Sequence, residues 1–185
     1  VSALGGAERK IAESAGRVVW APDGLSVIIL QRTSPRGRSL YRVSLATGEK
    51  VRLTFPKEPG PGDTDMAISP DGQWIAFCRV LGAEGCDIHV IPWSGGEPRR
   101  VTNDHRGILG LAWTPAGDEI VFASNRDGWF RLWRVSPNAL HARSYPQPER
   151  VDAAGEDARY PTLSRGKMVY QKFSRNFDIK RVEIS

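Results

Sequence analysis

Asp65 to Asp104 reads DMAISPDGQWIAFCRVLGAEGCDIHVIPWSGGEPRRVTND, and it resolves into four short strands. Asp65 to Ile68 is the first, and Ser69-Pro70-Asp71-Gly72 turns the chain. Proline at the second turn position presets φ, and glycine at the fourth frees the exit. Trp74 to Cys78 is aromatic and apolar, as a half-buried strand is. After a loop come Asp87 to Pro92, a Ser94-Gly95-Gly96 turn, and Arg99 to Thr102. A four-strand meander of about 40–45 residues is the length of one propeller blade.

The unit recurs. Upstream, Gly16 to Phe55 holds strands Arg17–Trp20, Ser26–Gln31, Leu40–Leu45 and Lys50–Thr54, with Ala21-Pro22-Asp23-Gly24 at the first turn. Pro56 to Asp63 crosses between blades. Downstream, Ile108 to Val151 holds Leu109–Trp113, Glu119–Ser124, Phe130–Val135 and Glu149–Val151, with Thr114-Pro115-Ala116-Gly117 at its turn. Asp157 to Ser185 carries Tyr160–Leu163, Lys167–Lys172 and Asp178–Ile184, and lacks the fourth strand. The turn glycines Gly24, Gly72, Gly117 and Gly166 fall 48, 45 and 49 residues apart. No segment shows the three-and-four apolar spacing of a helix. The expected fold is all-β, a single β-propeller domain over residues 1–185 with four radially arranged antiparallel sheets.

Residues 1–14 align with the end of the central unit, Gly5-Gly6 on Gly95-Gly96 and Arg9-Lys10-Ile11 on Arg99-Arg100-Val101. They predict the outer strand of a blade. With strands lettered outward from the axis, the chain holds D, then ABCD three times, then ABC. That phase allows the N-terminal strand to complete the last blade and remove an edge. A slice of a larger propeller, or a homodimer paired through open blade edges, fits the same inventory. The chain opens at Val1 rather than Met, which predicts a processed or excised piece.

The net charge is +5, with 40% hydrophobic and 25% charged residues, an ordinary globular composition. The cations are scattered, and there is no basic helix, zinc spacing or aromatic-glycine RNA signature, so nucleic-acid contact is not expected. No apolar run approaches the roughly 18 residues of a membrane span. Cys78 and Cys86 flank one hairpin loop, leaving a disulfide or two free thiols open.

Ile68-Ser69-Pro70-Asp71-Gly72, Ile75-Ala76-Phe77, Asp87-Ile88-His89-Val90 and Gly95 to Thr102 together resemble the TolB-type, WD-repeat-like propeller repeat. Trp113 to Gly117 with Ser124 to Gly128, and Trp20 to Gly24, match it again. Ala116 departs from the usual Asp, and Ser164-Arg165-Gly166 lacks the Pro-Asp pair. The chain is also similar to the propeller half of bacterial winged-helix regulators of the ToxR/CadC type and of receptor-like Ser/Thr kinases. That resemblance implies a bacterial sensor or scaffold module that binds protein, and an extracytoplasmic or periplasmic place for it.

Enzymatic motifs are absent: no Gly-x-Ser-x-Gly elbow, His-Glu-x-x-His or phosphate-loop pattern. The expectation is therefore no catalysis, no cofactor and no metal. Asp23 and Asp71 read as turn carboxylates accepting backbone N–H groups. His89 reads as a packing residue, and His105, beside Asp104 and Arg106, as a loop residue. Trp20, Trp74, Trp93, Trp113 and Trp133 read as blade-to-blade packing, with Trp129 exposed beside Arg126. Propeller topology puts the D-to-A and B-to-C loops on one face, bringing Arg17, Asp63, Asp65, His105, Arg106, Arg126, Asp127, Trp129, Asp157 and Arg159 there. The candidate contacts are Arg17, Asp65, His105, Arg106, Arg126, Trp129 and Arg159, facing a protein or peptide partner or a small anionic ligand.

Overall fold

The computed structural model describes residues 10–12, 15–57, 60–82, 85–137 and 145–173. Three four-stranded antiparallel sheets follow one another. The first is β1 (Ala15–Trp20), β2 (Ser26–Arg32), β3 (Arg38–Ser44) and β4 (Lys50–Arg52). The second is β5 (Gly62–Ile68), β6 (Trp74–Val80), β7 (Cys86–Pro92) and β8 (Arg99–Arg100). The third is β9 (Ile108–Trp113), β10 (Ile120–Ser124), β11 (Arg131–Val135) and β12 (Glu149–Arg150). A fourth sheet shows β13 (Ala158–Ser164) and β14 (Lys167–Lys172). Each sheet is a simple meander, the arrangement of propeller blades. The expected N-terminal outer strand and the strand Asp178–Ile184, and with them ring closure, lie outside the described residues.

The blades stack because both faces of each sheet are apolar. In β2, Ile28 and Leu30 turn towards the second sheet and pack with Leu40, Met66, Ile75 and Phe77. Between the second and third sheets lie Ala76, Ile88, Val90, Leu111, Trp113 and Phe122. Val121, Ala123 and Leu132 meet Leu163, Met168 and Tyr170 of the fourth. Phe77 and Phe122 are fully buried, and side chains of this size stabilise by about 1.5–3 kcal/mol each. Trp113 also donates from Nε1 to the Ala67 carbonyl of the preceding blade (3.2 Å). His89 packs as expected: it is buried, stacks on Phe77, and burial holds its imidazole below the ordinary range.

Trp20 corrects the sequence reading. It occupies the same repeat position as Trp113 but is 63% exposed. Its equivalents Ile68 and Trp113 pack on the preceding blade, and no described sheet precedes β1.

The tight turns follow their residues. The Asp23 and Asp71 carboxylates accept the Leu25 and Gln73 amides at 2.8 and 3.0 Å. The Ser69 hydroxyl, then the Gln73 amide, hold the Asp71 carboxyl below its usual range. Where Ala116 replaces the aspartate, Asp118 takes over and accepts the Thr114 hydroxyl at 2.6 Å. Pro22 lies against Gly72, and Pro70 against Gly117, so successive turns stack around one mouth of the axis.

The outer strands are shorter than expected. After Arg52 and Arg100 the next ladder acceptor is a side chain: Thr54 and Thr102 hydroxyls take the Leu40 and Ile88 amides, both at 2.9 Å.

Candidate functional site

The four inner strands β1, β5, β9 and β13 line an axial channel of about 750 Å³. Its wall is mainly apolar, from Val19, Met66, Leu111, Trp113 and Pro161 among others. The turn prolines Pro22, Pro70 and Pro115 border it, with Arg165.

At the other mouth the inner strands share one irregularity. Pairing shifts register between Ala15 and Val18, between Thr64 and Met66, and between Arg159 and Thr162; in the third sheet it shifts opposite Gly110. The residues that fall in these register shifts include Arg17, Asp65, Gly110 and Tyr160. Three of them have left-handed backbones, with φ of 35° at Asp65, 76° at Gly110 and 49° at Tyr160. A bulge re-aims its side chain, and a left-handed non-glycine residue costs on the order of 1–3 kcal/mol.

These positions meet. Asp65 forms an ion pair with Arg17 and accepts the Gly110 amide at 3.2 Å. The Arg17 guanidinium lies 5.9 Å from the centroid of the Tyr160 ring, which is itself 40% exposed. A Cβ on Gly110 would come within 2.6 Å of the Tyr160 Cα, so only glycine permits this approach. The mouth therefore carries one guanidinium, one carboxylate and one phenol ring above an apolar shaft.

The other candidate residues divide into two groups. Arg126 covers the Phe122 and Trp133 rings at 5.0 and 4.9 Å and pairs with Asp104 at 3.1 Å. Burial lowers its pKa. Arg159 lies over Phe130 and Phe173 at 4.8 and 4.5 Å and donates to Asp157 at 3.1 Å. Both guanidiniums lie over aromatic rings, of which Phe122 is buried and Phe173 exposed, and neither lines the channel. Arg106 is exposed, and Trp129 is 54% exposed; both lie on this face at larger radius. Gly107 joins their loops through the Asn125 side chain (2.9 Å).

His105 is exposed, with Nδ1 3.2 Å from Asp87. Asp87, quoted in the repeat motif only as the start of a strand, is a hydrogen-bonding hub. It is fully buried and accepts from Arg100 (2.5 Å), the Thr102 hydroxyl, and the Asp104 and His105 amides. It thereby ties the third strand, the outer strand and the loop to the next blade. In the first blade Arg52 donates to the Ser39 hydroxyl and the Thr54 carbonyl, and the Thr54 hydroxyl accepts the Leu40 amide, so the Arg-x-Thr shared by the first two blades was the available signal.

Cys78 and Cys86 are buried free thiols in hydrogen-bond contact on neighbouring strands. Val80 is opposite Cys86 and Ile88 is opposite Cys78, so the pair is diagonal. Burial pushes the Cys78 thiol up, and its hydrogen bond pulls Cys86 down. Among the described residues no cluster of three or more His, Cys, Asp or Glu could hold a metal, and no helix is long and apolar enough to cross a membrane.

No protein-family model matches the chain. It is 25% identical over 107 residues to an uncharacterised peptidase, YuxL, of Bacillus subtilis, covering 55% of this chain and 16% of that protein. It is 29% identical over 119 residues to the uncharacterised protein Atu1656 of Agrobacterium fabrum, covering 63% and 38%. TolB from Acinetobacter baumannii superposes with a TM-score of 0.68 at 23% identity, over 86% of this chain and 38% of TolB. A puromycin hydrolase S511A mutant complexed with PGG superposes at 0.62 and 14% identity, over 83% and 24%. The chain thus spans well under half the length of each. The two structural matches share the propeller fold with it.

Proposed function

We propose that this stretch of TolB-like propeller is a non-catalytic binding module, holding a protein or peptide segment at the Arg17–Asp65–Tyr160 mouth. It would serve as the sensing or interaction part of a larger bacterial protein. The observation that carries the reading is the coincidence of bulges: equivalent positions of four separate strands leave regular pairing and turn to one opening. Rigid strands fix the groups that a ligand would meet, which lowers the ordering cost of binding. Arg17 would face a carboxylate, Tyr160 a side chain, and the shaft an apolar residue.

The test is selection of 12-residue peptides on phage against the chain. Selected peptides are expected to bind at least tenfold more weakly to Arg17→Ala and Tyr160→Ala, with unchanged circular dichroism. Peptides indifferent to both substitutions would refute the reading.

A second reading is favoured by the likeness to YuxL and to puromycin hydrolase: an accessory propeller that filters peptides for a hydrolase domain elsewhere in the polypeptide. Fluorophosphonate labelling of the full gene product separates the two, since a labelled serine outside these residues supports the peptidase role.

A further inference from the structure

The charge on the channel-mouth face is unevenly spent. Most of its described carboxylates are paired internally: Asp63 with Arg79, Asp65 with Arg17, Asp87 with Arg100, Asp104 with Arg126, Asp127 and Glu156 with Arg131, and Asp157 with Arg159, whereas exposed Glu97 is not among these pairs. Five exposed cations of the same loops, Arg32, Arg36, Arg38, Lys57 and Arg106, have no carboxylate partner among the described residues. The Arg32 head donates only to the Pro35 carbonyl (3.2 Å). Glu58 and Glu84, in these loops by sequence, lie outside the described residues and leave the balance positive. The opposite face exposes the turn carboxylates Asp23, Asp71 and Asp118 together with the cations Arg165 and Lys167 of the fourth sheet's turn, a mixed charge.

The loops that carry these cations interlock. Arg38 donates its amide to Pro61 (3.2 Å), and a Cβ on Gly62 would strike Arg38. Gly85 is equally tight against His105 and Arg106. Between the first two blades the face opens into a groove of about 630 Å³, walled by Phe55, Pro56, Pro61, Val80 and Leu81, with Lys57, Arg79 and Glu97 also lining it. Phe55 is 68% and Leu81 48% exposed, and the Arg52 guanidinium lies 4.6 Å from the Phe55 ring centroid.

We infer that this face docks an acidic polypeptide segment carrying an aliphatic side chain. These five cations meet its carboxylates, and the groove between Phe55 and Leu81 takes the apolar residue. Charge complementarity of this kind sets partner choice and association rate. The proline and aliphatic walls suit an aliphatic side chain, whereas single-stranded nucleic acid is gripped by stacking platforms. The inference rests on the binding-module reading above and names its partner class.

The probe is a fluorescent 11-residue peptide of ten glutamates with leucine at its centre, followed by anisotropy. A leucine-to-glycine version and an 11-nucleotide oligothymidylate are run beside it. The peptide is expected to bind, to weaken steeply with salt, and to lose at least tenfold in affinity for Arg36→Glu/Arg38→Glu/Lys57→Glu. The glycine version is expected to bind several-fold more weakly. Oligothymidylate binding as tight as the peptide, or a triple variant that binds normally, would overturn the inference. Phage-selected peptides that need Arg17 but ignore both salt and the triple variant would overturn it too, while leaving the channel-mouth reading standing.

Discussion

Asp87 shows how much of the channel-mouth face depends on one interior side chain. A fully buried carboxylate is tolerated only when its lone pairs are satisfied, and here a guanidinium, a hydroxyl and two amides do so. Asp87→Ala leaves the Arg100 head and the 103–106 loop without that acceptor. The expected loss is about 3–5 kcal/mol in urea denaturation. Thr102→Val, which removes only the hydroxyl, is expected to cost about 1–2 kcal/mol. Equal small losses from both would show that Asp87 is no hub. Residues of this kind were half legible. The turn aspartates declared their role because proline and glycine flank them. Asp87 did not, since an aspartate opening an apolar strand looks like any strand start until its partner fifteen residues on is known. Arg126 and Arg159 looked like surface contacts for the same reason, as the sequence does not show the aromatic rings beneath them.

At the scale of elements, strand order and most boundaries were readable from alternation and turn chemistry, and β14 matches its expected range. The outer strands were not, because threonine hydroxyls replace ladder bonds there. The bulges were also hidden. Arg17, Asp65, Gly110 and Tyr160 share a repeat position but no chemistry, so the coincidence emerges only from the register. Gly110 is where the bulge is most sensitive. Gly110→Ala would place a methyl 2.6 Å from the Tyr160 Cα at a positive φ, and is expected to destabilise by roughly 2–4 kcal/mol. Gly128→Ala, also at positive φ but with open space around it, is expected to cost about 1 kcal/mol. Thermal unfolding of the two variants checks this, and indistinguishable midpoints would remove the close approach from the account.

For the whole molecule, the repeat period and the in-phase turn motif made the propeller legible before any coordinates. The function was far less so, because a blade motif encodes stacking, and the same blade serves TolB and peptidases alike. The proposal rests on positions that the motif leaves free: the bulged mouth and the cations around it that have no carboxylate partner among the described residues. The most direct measurement is hydrogen–deuterium exchange of the chain with and without a saturating phage-selected peptide. The account predicts new protection at 15–20, 62–68, 108–113 and 158–164, the four inner strands together, with the opposite turns at 22–24, 70–72 and 115–117 unchanged. Protection confined to one sheet, or to the turn face, would contradict a binding mouth assembled from all four blades.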